Sequence, residues 1–498
     1  MIFQPIQEQN INSFTLIQIE TDTFSFQKLF KILGPGLLIS LGYLDPGNIA
    51  GDIQAGLKAR YNLIIILFMT TLLGYFFQIR AMKLGIVTGK DLAELCRDNF
   101  DTKTSISLWI MAEIAIIGSD IQEVLGIAIG LNIIFGLKLW IGVSLAIFLS
   151  FICLLMKGNG DKKFELLICF FIGLMGLCFF LNVFLFQPNF GEILQSFFLP
   201  NIPKSGIFPM MGLIGAVLMP HNLYLHSSLS REQKIDTNNI SFIKNILVYY
   251  KIECAFSLFL SFLISSAIII TFASFYQTEH SDMNLQTAGL ALESSFGTLS
   301  KYIWGIGLIC AGQSSTLTGT LSGQYIMTGF IKMNINLYLR SLISRAIAIV
   351  PSFIIAFWDE NSDYNDYLNV LQAIQLPFAI IPLLKFNSSE QIMGKEFLIG
   401  KYQMWLLIGF SVGIVGMNYV NAFISLYEGV FGMVENQIIQ AFIFLGVFLG
   451  GAFYFIFMYF LVKQDICVEQ NQYFDIDQNQ QDYQENGKNE LEIEQNIE

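Results

Sequence analysis

Two short runs hold the residue types that could do chemistry: Asp45-Pro46-Gly47-Asn48 and Met219-Pro220-His221-Asn222. Each interrupts an otherwise apolar stretch. Proline inside a helix removes one backbone hydrogen bond and crowds the preceding turn. In lipid the freed carbonyls need another partner. Taken alone, Pro46 with Gly47, or Pro220, reads equally well as a plain kink. Taken together, at matching places five spans apart, the runs point to a shared site. Paired broken helices in two inverted halves are the sequence mark of a transporter's binding site.

The donor types narrow the ligand. Asp45 offers a hard anionic oxygen and Asn48 a neutral one. Met219 offers a thioether sulfur, and unwinding before Pro220 frees carbonyls such as that of Ala216. A carboxylate within a membrane calls for a cation, because burying it unpaired is expensive. A thioether adds little for Na⁺, Mg²⁺ or Ca²⁺, which favour oxygen, but favours softer divalent ions. The mixture argues for ions such as Mn²⁺, Fe²⁺, Co²⁺ or Cd²⁺. With 17 methionines in the chain, Met219 as simple packing is the competing reading.

Few other charges lie in apolar segments. Glu113, Asp120 and Glu123 share one helix face, within roughly 80° at about 100° per residue. Arg345 lies near the start of the ninth span. His221 sits inside the second break and His226 one turn on; His280 falls in a loop and gets no role. Acids with a histidine along a bundle interior are the makings of a proton relay. The competing reading is buried structural ion pairs, and for His226 ordinary helix packing. Asp52, seven residues after Asp45, is expected near the outer surface.

These groups need a frame. Of 498 residues, 54% are hydrophobic and 13% charged, against about 25% charged in soluble domains. About twelve spans of some 20 apolar residues fall near 36–57, 62–82, 107–134, 138–156, 164–186, 207–229, 246–275, 300–331, 341–358, 366–384, 402–426 and 436–462. The fold class is an all-α polytopic membrane protein. The offset between the breaks implies a 5+5 inverted repeat with discontinuous helices one and six. The division reads as a cytoplasmic segment 1–33, a transporter domain 34–463 and a tail 464–498. Within the domain, repeats of about 34–190 and 205–390 are followed by two extra helices. Basic loop residues number fifteen on one side and five on the other, so both termini are expected in the cytoplasm. The tail is acidic, rich in Gln and Asn, and reads as disordered. It carries much of the net charge of −12. No basic patch suggests nucleic acid. The seven cysteines show neither metal-ligand spacing nor an even framework.

Together these residues resemble the NRAMP family of proton-coupled divalent-metal transporters. DPGN at 45–48 and MPHN at 219–222 are similar to its two signatures. AGQSSTLTGTLSGQ at 311–324 resembles its eighth-span motif, and LNVLQAIQLPFA at 368–379 its tenth span in the eukaryotic form. TGKDLAELCR at 88–97 and DIQEVLGIAIGLN at 120–132 are also similar. The resemblance implies a metal site from Asp45, Asn48, the Ala216 carbonyl and Met219, joined by a tenth-span amide at Asn369, through water in some forms. It implies that Asp45, His221, Asp120 and Glu123 serve proton movement, with Arg345 as partner and Glu113 at the margin. Two positions depart from the family pattern: Ser265, where many members have Asn, and Thr328, where many have an acid. No resident cofactor is implied; metal ions and protons are substrates.

The expectation is therefore a symporter that carries Mn²⁺ or Fe²⁺, and also Co²⁺, Zn²⁺ or Cd²⁺, into the cytosol. The plasma membrane and endolysosomal or vacuolar membranes are both compatible. A sodium-coupled amino-acid or amine symporter of the same architecture is the alternative, and a channel a further one. An enzyme is not expected: no H-E-x-x-H occurs, and no Ser or Cys stands in a nucleophile motif.

Overall fold

A computed structural model describes residues 38, 42–157, 161–232, 240–277, 283–332, 337–358, 364–426 and 437–466. The segment 1–33 and the tail from 467 onward lie outside the described residues, as does His280. A helix stands at each of the twelve apolar segments. In chain order the helices are α1 (Pro46–Ala59), α2 (Ile64–Thr88), α3 (Leu92–Asn99), α4 (Thr102–Phe135), α5 (Leu139–Lys157) and α6 (Asp161–Phe186). Then follow α7 (Phe190–Phe198), α8 (Ile207–Val217), α9 (Pro220–Glu232), α10 (Ile240–Phe272), α11 (Leu285–Phe296) and α12 (Thr298–Ile331). The last are α13 (Leu337–Trp358), α14 (Tyr364–Gln375), α15 (Pro377–Ser388), α16 (Glu390–Met393), α17 (Lys401–Leu426) and α18 (Gln437–Lys463).

Seven helices or broken pairs among the described residues are long and apolar enough to cross a membrane. They become eight if α6 and α7, bent by 111°, count as one span. The eighth predicted span, α12, is absent from that set because its middle is rich in Ser and Thr. It needs no lipid-compatible surface there, since residues 310–323 are all buried within the bundle. The chain is an all-α, polytopic membrane protein.

The helix packing carries the internal repeat. Span one (α1) packs on span seven (α10), and span six (α9) packs on span two (α2). Shifting each span by five turns one pair into the other. The same shift turns the α14–α4 pair into α6–α12, and the α13–α4 pair into α5–α12. It leaves the α4–α12 and α5–α13 pairs unchanged. An odd number of spans per copy inverts the second copy. The two extra helices, α17 and α18, are the least buried, as lipid-facing additions should be.

Local sequence sets the breaks. Pro46 starts α1 with Asp45 as its N-cap, whose side chain accepts from the Asn48 amide at 2.7 Å. An aspartate N-cap satisfies one of the unpaired amides of a first turn. In span six, α8 stops at Val217, Leu218 turns out of the helix (φ −101°, ψ 90°) and Pro220 starts α9. Span ten, read as continuous, is also interrupted: α14 ends at Gln375 and α15 begins at Pro377. Pro377 cannot donate to the Ala373 carbonyl. The Leu376 N–H and the Asn418 side chain of α17 donate to it, each at 3.3 Å, which is how a bundle tolerates proline at membrane depth.

Candidate cation site at the paired breaks

Both prolines remove the same hydrogen bond. The i→i−4 partner of residue 46 is the Gly42 carbonyl, and that of residue 220 is the Ala216 carbonyl. Neither proline has an N–H to give. Each break therefore frees one carbonyl by its covalent chemistry alone. Among the described residues the Gly42 carbonyl receives a long bond, 3.4 Å, from the Asn48 side-chain amide.

Around these carbonyls stand buried acceptors. Asp45 is fully buried, and its Oδ2 has no hydrogen-bond partner among the described residues. Asn48 Oδ1 is in the same condition. Met219 is buried at the start of the second break. Buried acceptors without donors each cost about 1–3 kcal/mol. A set of oxygens and one sulfur with nothing to donate is complementary to a cation. The two breaks face each other: a Cβ on Gly42 would stand 2.4 Å from the Asn222 amide, two residues past Pro220.

Asn369 of α14 reaches the same place. Its Nδ2 donates to the Gly47 carbonyl at 3.2 Å, and its Oδ1 accepts from Gln122 Nε2 at 2.8 Å. Its polar atoms are thus engaged at the break. Gln122 also donates to the Asn365 carbonyl at 3.2 Å and accepts from Gln372 Nε2 at 2.7 Å. This all-amide cluster ties α4 to α14 and α1. Reading the sequence missed it, although Gln122 stands between Asp120 and Glu123 on the same buried stretch.

Asp120 and Glu123 are brought together. Both are buried and line the notch at Gly319 of α12, whose Cβ would stand 3.2 Å from Glu123 Oε1 and 3.5 Å from Asp120 Oδ1. Ser119 donates to Glu123 at 3.1 Å. Glu113 stands apart, two turns earlier on α4, half-buried and accepting from the Trp109 indole at 3.0 Å. His221 is 2% exposed and its Nδ1 has no hydrogen-bond partner among the described residues. His226 is instead held by Gln78 at 2.9 Å, and Gln78 donates to Tyr43 at 3.3 Å. That chain links the two breaks through α2. Arg345 lies on α13, but its side chain is outside the described residues.

Asp52 departs from expectation. It is not at a surface but 1% exposed, hydrogen-bonded by Ser265 of α10 and close enough to feel the charge of Asp45. The physical reason is the packing of α10 and further spans on α1, which buries most of that helix. Ser265 thereby has a role in reach of the site, whereas nothing in the structure explains Thr328.

At the end of the bundle past α9, charges close the frame. Asp91 caps α3 in a reciprocal capping box with Glu94. Arg231, in the last turn of α9, pairs with Asp91 at 3.3 Å and with Glu94. Burial, with the neighbouring Glu94, pushes the Asp91 carboxyl up to about 6, against the opposing pull of Arg231.

The model of the natural resistance-associated macrophage protein-like family matches residues 36–424. The chain belongs to the Nramp family. Curated Nramp relatives include a metal transporter Nramp1 homolog of Dictyostelium discoideum, 39% identical over 421 residues (81% of this chain, 79% of the relative). Metal transporter Nramp3 of Arabidopsis thaliana is 40% identical over 422 residues (82% and 83%). Among solved structures, a mutant of the Eremococcus coleocola manganese transporter superposes with a TM-score of 0.81 at 28% identity, covering 89% of this chain and 97% of that one. Nramp membership makes the chain a membrane transporter and not an enzyme.

Proposed function

We propose that this Nramp protein moves divalent transition-metal ions into the cytosol together with protons. Mn²⁺ and Fe²⁺ are the expected substrates, with Co²⁺, Zn²⁺ and Cd²⁺ as further ones. The observation that carries the reading is the acceptor set at the paired breaks: Asp45 Oδ2 and Asn48 Oδ1, without donors among the described residues, beside the buried Ala216 with its proline-freed carbonyl and the buried Met219. A carboxylate with neutral oxygens answers the charge, and a thioether favours borderline-soft ions over Ca²⁺ and Mg²⁺. The relatives named as metal transporters and the solved manganese transporter support the same substrate class.

Coupling follows from the same carboxylate. An arriving M²⁺ displaces a proton held at Asp45. His221, the residue directly after Pro220, and the Asp120–Glu123 pair on α4 are the groups to receive it, with Arg345 as a partner. Rocking of spans one and six against the α4–α12 frame then exchanges access between the two sides. The basic-loop asymmetry supports a cytoplasmic position for both termini. The test is uptake by proteoliposomes from a panel of metals and amino acids, with internal pH recorded. Mn²⁺ entry with acidification is expected, and Asp45→Ala should abolish both. Metal entry that survives Asp45→Ala would refute the site.

A further inference from the structure

A cavity of about 430 Å³ lies in the corner where α6 turns into α7, against the side of α10. Phe180 and Phe184 of α6, Phe190 of α7, and Leu263 and Ile270 of α10 line it, with the hydroxyl of Ser266 among them. Ser266 is 7% exposed, and its Oγ has no hydrogen-bond partner among the described residues. On the same helix Ser261 and Thr271 give their hydroxyls to the carbonyl four residues back, at 3.2 and 2.8 Å. Ser266 does not do so, and it lines the cavity instead. A hydroxyl in hydrocarbon without a partner is costly. The missing partner has to come from whatever fills the cavity.

Depth in the membrane selects that partner. α10 has 33 residues, or about 50 Å at 1.5 Å each. The hydrocarbon layer is about 30 Å thick, so a centred helix overshoots it by about 10 Å at either end. Ser266 lies six residues before Phe272, the last of α10, hence about 9 Å from that end. Its hydroxyl is level with the edge of the hydrocarbon, where the ester carbonyls of glycerolipids begin. α7 marks the same level. It turns 111° away from α6, and its Phe190, Leu194 and Phe198 are exposed at every fourth position. Its Glu192 pairs at 2.6 Å with Arg60, at the end of α1. A helix with one apolar and one charged side lies in the membrane interface.

We propose that the cavity holds one acyl chain of a glycerophospholipid, whose ester carbonyl accepts a hydrogen bond from Ser266. A flexible chain conforms to a corner walled by three phenylalanines, whereas a fused sterol ring cannot bend with it. The site is separate from the paired breaks, so its test does not depend on metal transport.

The experiment places the full chain in phosphatidylcholine vesicles containing a small share of phosphatidylcholine with a diazirine on one acyl chain. After illumination the labelled peptides are mapped by mass spectrometry. Label is expected to concentrate on residues 180–190 and 263–270 above the level on α17 and α18, the least buried helices. Ser266→Ala should lower the cavity label about fivefold, the worth of one net hydrogen bond. Ser266→Leu, which also fills the space, should remove it. Label on α17 and α18 should stay unchanged in both variants, which a misfolded chain would not show. Should Ser266→Leu fail to fold, the smaller Ser266→Ala decides alone. Cavity label no higher than on α17 and α18, or unmoved in Ser266→Ala, overturns the proposal. So does stronger labelling of the same peptides by a photoreactive sterol, or cross-links through them between two copies of the chain.

Discussion

Pro46 of α1 occupies a notch that Gly126 leaves on α4: a Cβ at residue 126 would lie 2.4 Å from Pro46 Cγ. The proline that opens the first span thus rests on α4, which packs on α12. A methyl group at that point cannot be absorbed without moving the break. Gly126→Ala should cost about 1–3 kcal/mol by overpacking, seen as a lower melting temperature in detergent. Mn²⁺ uptake should fall with it. Full stability and uptake would mean that the break does not depend on the notch.

Met219 supplies the only sulfur in the proposed ligand set. Met219→Ala should cut Cd²⁺ uptake and let Ca²⁺ or Mg²⁺ compete better against Mn²⁺. About a tenfold change in the competition ratio corresponds to roughly 1.4 kcal/mol. Competition curves that overlay the wild type would remove the thioether from the selectivity argument.

His221 should matter for protons more than for metal. In His221→Ala the dependence of Mn²⁺ uptake on external pH should flatten, while Mn²⁺ binding to the solubilised protein stays near wild type. A pH profile that keeps its shape would take His221 out of the relay.

Asp91 gives a pH effect at the far end of the bundle. Its folded-state carboxyl sits near 6, above the ordinary 3.8, mainly through burial. A raised carboxyl favours the protonated fold, so its ionisation cost is fully present above about 6. That cost is relieved as pH falls towards 3.8, and nothing further is gained below. The same protonation takes from Arg231 one of its two carboxylate partners. Melting of the wild type relative to Asp91→Asn, from pH 7.5 to 4.5, should therefore shift in favour of the wild type as pH falls. A constant difference would show that Asp91 does not titrate there.

Much of the frame was legible because lipid imposes simple rules. Apolar length marked the spans, and proline marked the breaks. Even α12, too polar in its middle for a lipid-facing helix, was found from the apolar residues flanking 311–324. What escaped were relations between spans. The Gln122–Asn369–Gln372 cluster uses residues from α4 and α14, about 250 positions apart, and neutral amides leave no charge signal. Asp52 was misplaced for a related reason. Its own helix position suggested an outer surface, and its burial comes from the packing of other spans on α1. The interruption at Pro377 was overlooked because a proline near the middle of one span, without a matched partner, resembles an ordinary kink.

The cross-pairing of the repeats bears on how the protein is made. α1 finds its cover in α10, which follows about 200 residues later. At the usual pace of synthesis that is roughly 10–40 s. During that interval a half-helix carrying Asp45, Asn48 and Asp52 has been delivered to the membrane without its cradle. α2 likewise waits for α9. Neither repeat can be completed by itself, so the nascent chain needs a polar refuge beside the bilayer until the second half arrives.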